Sequence, residues 1–287
     1  MMKELRFQYP IPVMARVLTV SASGYHRWVK RQPSKRAQRD GRLEAEIRAA
    51  HTRGRKSYGP ERIQDDLSKH GITIGVHTIK RIRKTGGIKC VQTKKFKCTT
   101  DSNHDLPVAM NLLGQDFRVA APDRVWVTDI THIPTDEGPL YLAGHKDLFD
   151  KNVVGYAMSE RMTKNLVAES LRRAVDTRRP SKGLIHHSDR GSQFCSHEYG
   201  KLLLGYGMTP SMSRKGNCYD NAPIESFWGK LKQELVNHRR YETRKEAIES
   251  ITEYIEVFYN RERTQKQLGY LSPAQYLRKY YEENKAA

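Results

Sequence analysis

Apolar residues recur at helical spacing along the first part of the chain. Residues 12–31 predict two short helices, with Ser21 in the N-cap position of the second one. The polar residues 31–41 follow and are expected to form a linker without regular structure. The pattern therefore predicts a helix-turn-helix-like N-terminal segment at residues 1–33.

Three more helices are predicted within residues 34–100, which we expect to form a basic helical domain and linker. Residues 43–50 show the period of a helix, Pro60 stands where the next helix would begin, and Ile79 and Ile82 share the apolar face of the third. The other face of that third helix is polar and cationic, and it carries His77, Thr78, Lys80, Arg81, Arg83 and Lys84. A helix of this kind fits the major groove of DNA. The basic tail after it adds further candidate DNA contacts at Lys94, Lys95 and Lys97.

The pattern changes to strand alternation after a connector at residues 101–120. In the segment that begins at Val125, successive residues face opposite ways. The apolar periods then predict two more strands, a helix, a strand, a helix, a strand and a long helix. This order is that of the ribonuclease-H-like fold, so we expect an α/β core with a mixed five-stranded sheet at residues 121–240. Residues 241–287 are expected to form C-terminal helices.

Three carboxylates in this core stand where an isolated acid would be unfavourable. Asp129 lies inside the first strand, Asp189 ends the fourth, and Glu225 lies in the first turns of the long helix, beside its apolar stripe. Buried carboxylates need partners, and hard oxygen ligands suit Mg²⁺ or Mn²⁺. Two such ions can activate an attacking oxygen and stabilise the leaving oxygen of a phosphodiester. Other acids of the core are expected to be caps or surface groups, namely Asp136, Glu137, Asp147, Asp150 and Asp220.

The positive charge is concentrated in the first third of the chain. The sequence has 51 Lys and Arg against 32 Asp and Glu, a formal net charge of +19. Residues 1–100 hold 24 of those basic residues and 7 of the acidic ones, which predicts a nucleic acid as a partner. The helix that fits a major groove makes double-stranded DNA the expected form. The apolar runs are too short to span a membrane, so no membrane partner is expected. The four cysteines form neither a CxxC zinc motif nor a disulfide scaffold.

Several segments resemble bacterial insertion-sequence transposases of the DDE, retroviral-integrase-like class. They are WVTDIT, HHSDRGSQF and SRKGNCYDNAPIESFWGKLKQE in the core, and SYGPERI, NLLGQDF and FYNRERTQKQLGYLSPAQY outside it. The resemblance is to the second-frame product of two-frame insertion sequences. By this resemblance, Asp129, Asp189 and Glu225 would be the metal-binding catalytic residues of an enzyme that cleaves and joins DNA strands at element ends.

Residues near the three carboxylates each have two interpretations. Lys232 lies seven positions after the helix carboxylate, so it shares that helical face and either binds a DNA phosphate or is an ordinary exposed lysine. Asn221 either orients the DNA strand or caps the long helix, and we favour the cap. His187 either supports the substrate phosphate or fills a strand end, and we favour the supporting role. Arg190 and Gln193 either contact DNA or are simply polar turn residues.

The resemblance also implies partners and a cellular location. Terminal inverted repeats and target DNA would be bound by a homo-oligomer, together with an upstream-frame helix-turn-helix protein that is separate or fused. Such a protein would act in the cytoplasm, at the nucleoid. Two alternatives stay open at this point: a catalytically silent DNA-binding regulator of transposition, and a ribonuclease-H-type nuclease acting on RNA–DNA hybrids. Metal-dependent nicking of element-end DNA, compared with nicking of a hybrid, separates the three.

Overall fold

Helices form the N-terminal part of the chain. The computed structural model describes residues 1–91 and 107–285. The helices before the sheet are α1 Met2–Leu5, α2 Ile11–Val17, α3 Ala22–Lys30, α4 Lys35–Arg53, α5 Pro60–Lys69 and α6 Val76–Thr85. The last three pack around a small apolar core that contains Ile47, Ile63, Leu67, Ile79 and Ile82. Across the two described ranges, no helix has the length and apolar character needed to cross a membrane.

The prediction of a linker at residues 31–41 is wrong from Lys35 onward, because these residues are helical. Helix α4 begins at Lys35, and the hydroxyl of Ser34 caps it by accepting a hydrogen bond from the Ala37 amide at 3.2 Å. Lys, Arg and Gln are good helix formers, so a polar stretch can extend a helix whose later turns are packed. Gly41 therefore lies inside a helix, exposed to solvent.

A mixed five-stranded sheet with the order β3-β2-β1-β4-β5 forms the core of the second part. Its strands are β1 Val125–Ile133, β2 Leu140–Asp147, β3 Val153–Ser159, β4 Ile185–Ser188 and β5 Thr209–Met212. Strands β1, β2 and β3 are antiparallel neighbours, whereas β4 pairs in parallel with β1 and β5 in parallel with β4. The predicted α/β core and its element order are confirmed.

Helices cover both faces of this sheet. They are α7 Lys164–Arg178, α8 His197–Gly205 and α9 Ala222–Glu234. Because successive residues of a strand point to opposite faces, β1 contributes to two apolar clusters. Trp126 belongs to the cluster that includes residues of α7 and α8, while Val125 and Val127 belong to the cluster that includes residues of α9.

The chain after α9 returns to the apolar core beneath the sheet. Helix α10 Arg244–Glu253 runs directly into a π-helical segment, Tyr254–Glu262, and α11 Pro273–Lys285 follows. Tyr254 and Phe258 are fully buried in the same cluster as the apolar residues of α9. The C-terminal aromatic residues of this segment therefore serve packing, as their helical spacing suggests.

The helical N-terminal region contacts this C-terminal region directly. Arg55 pairs with Glu253, and its guanidinium lies 4.3 Å from the centre of the Phe258 ring. On the other side of the contact, Lys266 Nζ lies 2.8 Å from Glu61 Oε2. Ion pairs and a cation–π contact thus connect the basic helices to the segment that packs under α9.

Candidate active site

The pairing of β1 with β4 places two of the predicted carboxylates side by side. In this parallel pair, Val127 lies opposite His187. Asp129 and Asp189 each follow two residues after this pair. Continuing the same register therefore brings the two aspartates next to each other. Asp189 directly follows the last residue of β4. Both side chains are half-buried at this edge of the sheet.

The third carboxylate is brought to the same edge by the start of α9. Glu225 lies in the first turn of this helix and is half-buried. Two hydrogen bonds connect the start of α9 to the sheet. Asn221 Nδ2 donates to the Thr128 carbonyl of β1 at 3.1 Å. The buried Lys146 of β2 donates from Nζ to the Pro223 carbonyl at 3.0 Å. The helix start is therefore fixed against β1 and β2.

The three carboxylates form one electrostatic cluster. Burial raises the pKa of Asp129 well above its ordinary value, and the facing carboxylate of Asp189 and, to a smaller extent, Glu225 raise it further. Burial also raises the pKa of Glu225, and the charge of Asp189 adds to the effect. Like charges gathered at a partly buried edge disfavour one another's ionised form. The residues singled out by sequence are thus neighbours in space.

The oxygen ligands of this cluster suit a divalent cation, although the three side chains do not converge on one ion position. Carboxylate oxygens are the ligands that Mg²⁺ and Mn²⁺ prefer. Among the residues that the structure describes, no three Asp, Glu, His or Cys side chains are grouped so that they could hold one metal ion. Since like charges repel, three ionised carboxylates are expected to spread apart until a cation compensates them. Holding an ion here would therefore involve side-chain rotation.

Two further side chains of α9 reach Asp129. Trp228 Nε1 donates a hydrogen bond to Asp129 Oδ2 at 3.1 Å. Lys232 lies one turn further along, where burial lowers the pKa of its ammonium group and the charge of Asp129 opposes that change. Glu225, Trp228 and Lys232 follow one another at helical spacing, so this face of α9 lines the carboxylate cluster.

A buried aspartate that the sequence analysis missed, paired with a partly exposed arginine, fixes the loop before α9. Asp220 is fully buried and accepts hydrogen bonds from Arg214, Asn111 and Gln115. The bonds from Arg214 hold the pKa of Asp220 far below its ordinary value. The motif NLLGQDF supplies Asn111 and Gln115, so it anchors this loop rather than forming a separate element. The expectation that Asp220 is a surface or capping acid is wrong.

The other acids set aside by sequence divide into two groups. Asp136 and Glu137 are exposed, as expected. Asp147 is buried and caps a turn by accepting a hydrogen bond from the Phe149 amide at 2.6 Å. Asp150 is also buried, and it forms an ion pair with Arg178. Burial of these two acids was not predicted, because their partners come from outside their own segment or from the turn itself.

The capping interpretation of Asn221 is wrong. Asn221 occupies the N-cap position of α9, yet its side chain makes no capping hydrogen bond. It turns instead toward β1, where Nδ2 donates to the Thr128 carbonyl, and its buried Oδ1 has no hydrogen-bond partner. The side chain connects the helix start to the strand that carries Asp129.

His187 lies beneath the edge of the sheet and away from solvent. Its Nδ1 is 2.9 Å from Ser211 Oγ and its Nε2 is 3.2 Å from Ser213 Oγ. Burial lowers the pKa of this imidazole to about 4. The structure therefore places His187 as a neutral, hydrogen-bonded residue between β4 and β5. This position fits the strand-end interpretation, and a supporting role at the substrate phosphate stays a prediction.

Arg190 and Gln193 both follow the strand that leads to Asp189. Arg190 Nε donates to the Ser213 carbonyl at 2.7 Å, and Gln193 Nε2 donates to the Met162 carbonyl at 3.3 Å. Both side chains remain half-buried. They support the turn, and contact with DNA stays a prediction for both.

The cationic face of α6 is largely as predicted. His77, Lys80, Arg81 and Lys84 are exposed and Thr78 is half-buried. Among these, Arg81 also forms an ion pair with Asp40 of α4, at 2.8 Å. The three candidate lysines of the basic tail, Lys94, Lys95 and Lys97, lie outside the described residues.

Arg83 is an exception on this helix, and its predicted exposure is wrong. Its side chain is buried, and Nη2 lies 3.1 Å from Cys90 Sγ. The chain after α6 folds back over this flank of the helix, which the local period of α6 alone does not indicate.

Together the sheet order, the helices on both faces and the carboxylate-lined edge define a core of the integrase type. The integrase core domain family matches residues 119–218, a second integrase core domain family matches residues 225–280, and an HTH-like domain family matches residues 38–96. The chain belongs to the insertion-sequence transposases, and its function is that of a DNA transposase. The resemblance seen in the sequence is confirmed.

Relatives extend over nearly the whole chain. An uncharacterized 31 kDa protein of insertion element IS600 from Shigella sonnei is 52% identical over 269 residues, which are 94% of this chain and 99% of the relative. Transposase InsF of insertion sequence IS3A from Escherichia coli strain K12 is 38% identical over 271 residues, 94% of each chain. A solved structure of a simian T-cell lymphotropic virus intasome, in complex with the PP2A regulatory subunit B56 gamma, includes a chain with 16% identity and a TM-score of 0.47. The match covers 75% of this chain and 70% of that one.

Proposed function

We propose that Asp129, Asp189 and Glu225 form the catalytic centre, and that it cleaves and joins DNA strands at insertion-sequence ends by in-line phosphoryl transfer. The observation that supports this most directly is the placement of the three carboxylates at one edge of the sheet, Asp129 and Asp189 by the β1–β4 register and Glu225 by the start of α9. Burial raises the pKa of Asp129, and the charges of Asp189 and Glu225 add to this effect. Acids held together against their own repulsion, on an edge that solvent reaches, are typical of functional sites. These residues would hold Mg²⁺ or Mn²⁺, with two ions at the centre.

The chain's own residues prepare this centre for the reaction. When bound, the cations would compensate the charge that develops on the attacking and leaving oxygens of the phosphodiester. The Ile130 amide donates to Asp129 Oδ1 at 2.8 Å, and the Gly191 amide donates to Asp189 Oδ1 at 2.9 Å, so both carboxylates are oriented by backbone. Lys232 adds a positive charge beside Asp129, where it would bind a DNA phosphate.

The basic helical region would hold the element ends. Lys80 and Lys84 lie exposed on one face of α6, and each phosphate that such a residue neutralises releases counterions. Binding of the full chain to duplex DNA should therefore weaken steeply with salt. Replacing either lysine by alanine should make the log–log salt slope shallower by about 1.

The assembly around this centre is also a proposal. We divide the chain into a helix-turn-helix-like segment at 1–33, a basic DNA-binding region at 34–100 and a connector at 101–120. The catalytic core at 121–240 and the C-terminal helices at 241–287 follow. Two element ends would be brought together by a homo-oligomer, with terminal inverted repeats and target DNA bound at once. An upstream-frame helix-turn-helix product, separate or fused, would contribute to end recognition, and the complex would act at the nucleoid in the cytoplasm.

A strand-cleavage assay tests the centre. The substrate is a labelled duplex carrying the end of the element, incubated with the full chain and Mg²⁺, beside a gel shift on the same duplex. Changing Asp129 or Asp189 to Asn, or Glu225 to Gln, should reduce cleavage and joining to background without weakening DNA binding. The three losses should not add, because the carboxylates act as one unit. Asp136→Asn, an exposed acid, is the matched control and should stay active.

Three other outcomes would change this conclusion. Normal cleavage by the Glu225→Gln protein would show that the helix glutamate is structural. DNA binding without cleavage by the unaltered chain would favour a silent regulator. Faster cleavage of an RNA–DNA hybrid than of the element end would favour a ribonuclease-H-type nuclease.

A further inference from the structure

Trp228 connects the helix of one catalytic carboxylate to the side chain of another. Its indole Nε1 donates to Asp129 Oδ2 at 3.1 Å, and the side chain is 2% exposed. Trp228 lies three residues after Glu225, on the same side of α9. This hydrogen bond therefore couples the rotation of α9 about its axis to the position of the Asp129 carboxylate.

The indole ring is held in place by the strand beside β1. Gly144 lies opposite Asp129 in the β1–β2 pair. A Cβ at position 144 would lie only 2.8 Å from Trp228 Cη2, so the ring occupies the space that a side chain there would take. Glycine at this position therefore leaves the space that the indole occupies while it donates to Asp129.

Both oxygens of Asp129 are held by donors. The Ile130 amide binds Oδ1, and Trp228 Nε1 binds Oδ2. Hydrogen bonds to an ionised carboxylate are stronger than those between neutral groups, and donors of this kind orient the ligands of metal sites. Each carboxylate oxygen has two lone pairs, so one donor on each oxygen leaves acceptor capacity for a cation.

We propose that Trp228 is a positioning residue that orients Asp129 for divalent-cation binding and fixes Glu225 relative to it. This inference rests on the proposed function of the three carboxylates. The apolar period of α9 by itself indicates only that Trp228 packs in the core, whereas this inference gives it a role in the site. Loss of the indole N–H should weaken use of the cation while leaving the fold and DNA binding in place.

Trp126, a buried tryptophan of β1, offers a matched control. Trp126 is fully buried on the opposite face of the sheet, and its Nε1 also donates to an aspartate, Asp123 Oδ1, at 3.1 Å. Trp126→Phe and Trp228→Phe thus remove the same kind of hydrogen bond and a similar buried volume. They differ in whether the aspartate belongs to the catalytic cluster.

The first experiment measures cleavage of the element-end duplex as a function of Mg²⁺ concentration. Trp228→Phe should raise the Mg²⁺ concentration for half-maximal cleavage about 10–100-fold, the usual effect of removing a partner of a metal ligand. Excess Mg²⁺ should restore much of the rate, and DNA binding should not change. Gly144→Ala, which keeps the indole but displaces it, should shift the same midpoint in the same direction. Trp126→Phe should leave the midpoint unchanged.

The second experiment observes the bond without catalysis. In ¹⁵N-tryptophan-labelled protein, the indole N–H resonance of Trp228 should move when Asp129 becomes Asn, whereas that of Trp126 should stay. Added Mn²⁺ should broaden the Trp228 resonance before the Trp126 resonance. This measurement uses the unaltered tryptophan, so it remains decisive if Trp228→Phe fails to fold.

The outcomes separate this inference from the proposed function. If the unaltered chain cleaves and Trp228→Phe has the same Mg²⁺ midpoint as Trp126→Phe, the positioning role is wrong and the catalytic centre stands. If the unaltered chain does not cleave the element end, the proposed function is wrong, and the indole resonances decide whether Trp228 orients Asp129 toward a cation. The inference is overturned if the indole resonance of Trp228 neither shifts in the Asp129→Asn protein nor broadens when Mn²⁺ is added.

Discussion

Glu234 and Arg263 form a buried ion pair that ties the last residue of α9 to the chain following the π-helical segment. Arg263 Nε donates to Glu234 Oε2 at 2.8 Å and Nη2 donates to Oε1 at 2.6 Å. The Tyr254 hydroxyl also donates to Oε2, at 2.8 Å. The helix that carries Glu225 is thus anchored at its far end by the C-terminal region.

Removal of one partner should destabilise the protein strongly. Arg263→Met leaves the Glu234 carboxylate buried and unpaired, so the free energy of unfolding should fall by about 3–5 kcal/mol. Urea denaturation followed by circular dichroism measures this change. Arg240→Gln, which removes an exposed ion pair with Asp136, is the control and should have little effect because surface pairs contribute about 0–1 kcal/mol. Equal losses from the two variants would contradict the importance of burial.

Repulsion within the carboxylate cluster should be visible as a pH dependence of stability. The pKa of Glu225 is raised in the folded protein, so the folded state holds its proton to higher pH than the unfolded state does. Stability should therefore fall as pH rises from about 4.3, the ordinary pKa of glutamate, through the folded value. In metal-free buffer, Glu225→Gln should be more stable than the unaltered chain at pH ~7.5 and equally stable near pH ~4.

The measurement is urea denaturation with a chelator present, at several pH values. Glu249→Gln, an exposed residue of α10, is the control and should not show this crossover. Mg²⁺ added at the higher pH should reduce the advantage of Glu225→Gln, since a bound cation compensates the charge. A Glu225→Gln protein that is less stable than the unaltered chain at every pH would contradict the repulsion.

Acid should destabilise the protein through His187. The pKa of this buried imidazole is lowered to about 4, whereas an unfolded histidine has a pKa of about 6.5. The unfolded state therefore binds a proton first, and stability should be lost as pH falls from about 6.5 to about 4. A difference of this size corresponds to about 3 kcal/mol.

Comparison of the unaltered chain with His187→Gln isolates this contribution. The variant should be less stable at pH ~7, and it should lose less stability than the unaltered chain between pH ~7 and pH ~4.5. Other groups titrate in both proteins and cancel in the difference. Parallel pH profiles for the two proteins would show that His187 is protonated as easily in the fold as outside it.

Two glycine substitutions should have opposite effects on stability. A Cβ on Gly155 of β3 would lie 2.4 Å from the Ala174 backbone nitrogen, so Gly155→Ala forces α7 away from the sheet and should cost about 1–3 kcal/mol or more. Gly41 lies exposed inside α4, and apart from its chain neighbours and the adjacent helix backbone no described atom lies within 4 Å of the place that an alanine methyl group would occupy there. Gly41→Ala should therefore stabilise this helix by up to about 1 kcal/mol. Thermal denaturation of both variants checks the signs.

Much of the catalytic core could be predicted from local patterns. Alternation around Val125 and helical periods further along gave the correct order of strands and helices, because these periods depend on which side of each element is buried. Asp129, Asp189 and Glu225 were candidates because of their places in predicted elements: inside the first strand, at the end of the fourth strand, and beside the apolar stripe of the long helix. The HTH-like region was equally visible in the spacing of its apolar residues.

The errors concern residues with partners outside their own helix or turn. Asp220 is buried by Asn111 and Gln115, which lie more than 100 residues earlier. Asn221 looks like a helix cap from its own neighbours, but it turns to a strand carbonyl of Thr128. Arg83 follows the exposed side of its helix by period, yet the following chain covers it. None of these contacts leaves a local periodic signal.

The sequence by itself determined the elements, their order and the identity of the three carboxylates, since side-chain period and residue type act within one element. Only the tertiary structure decided how these carboxylates meet. The parallel register of β1 on β4 sets Asp129 beside Asp189, and the hydrogen bond from Trp228 across Gly144 sets the helix of Glu225 against them. The physical reason is that register and helix rotation are fixed by packing and hydrogen bonds between segments far apart in the chain, whose free energy no single segment contains.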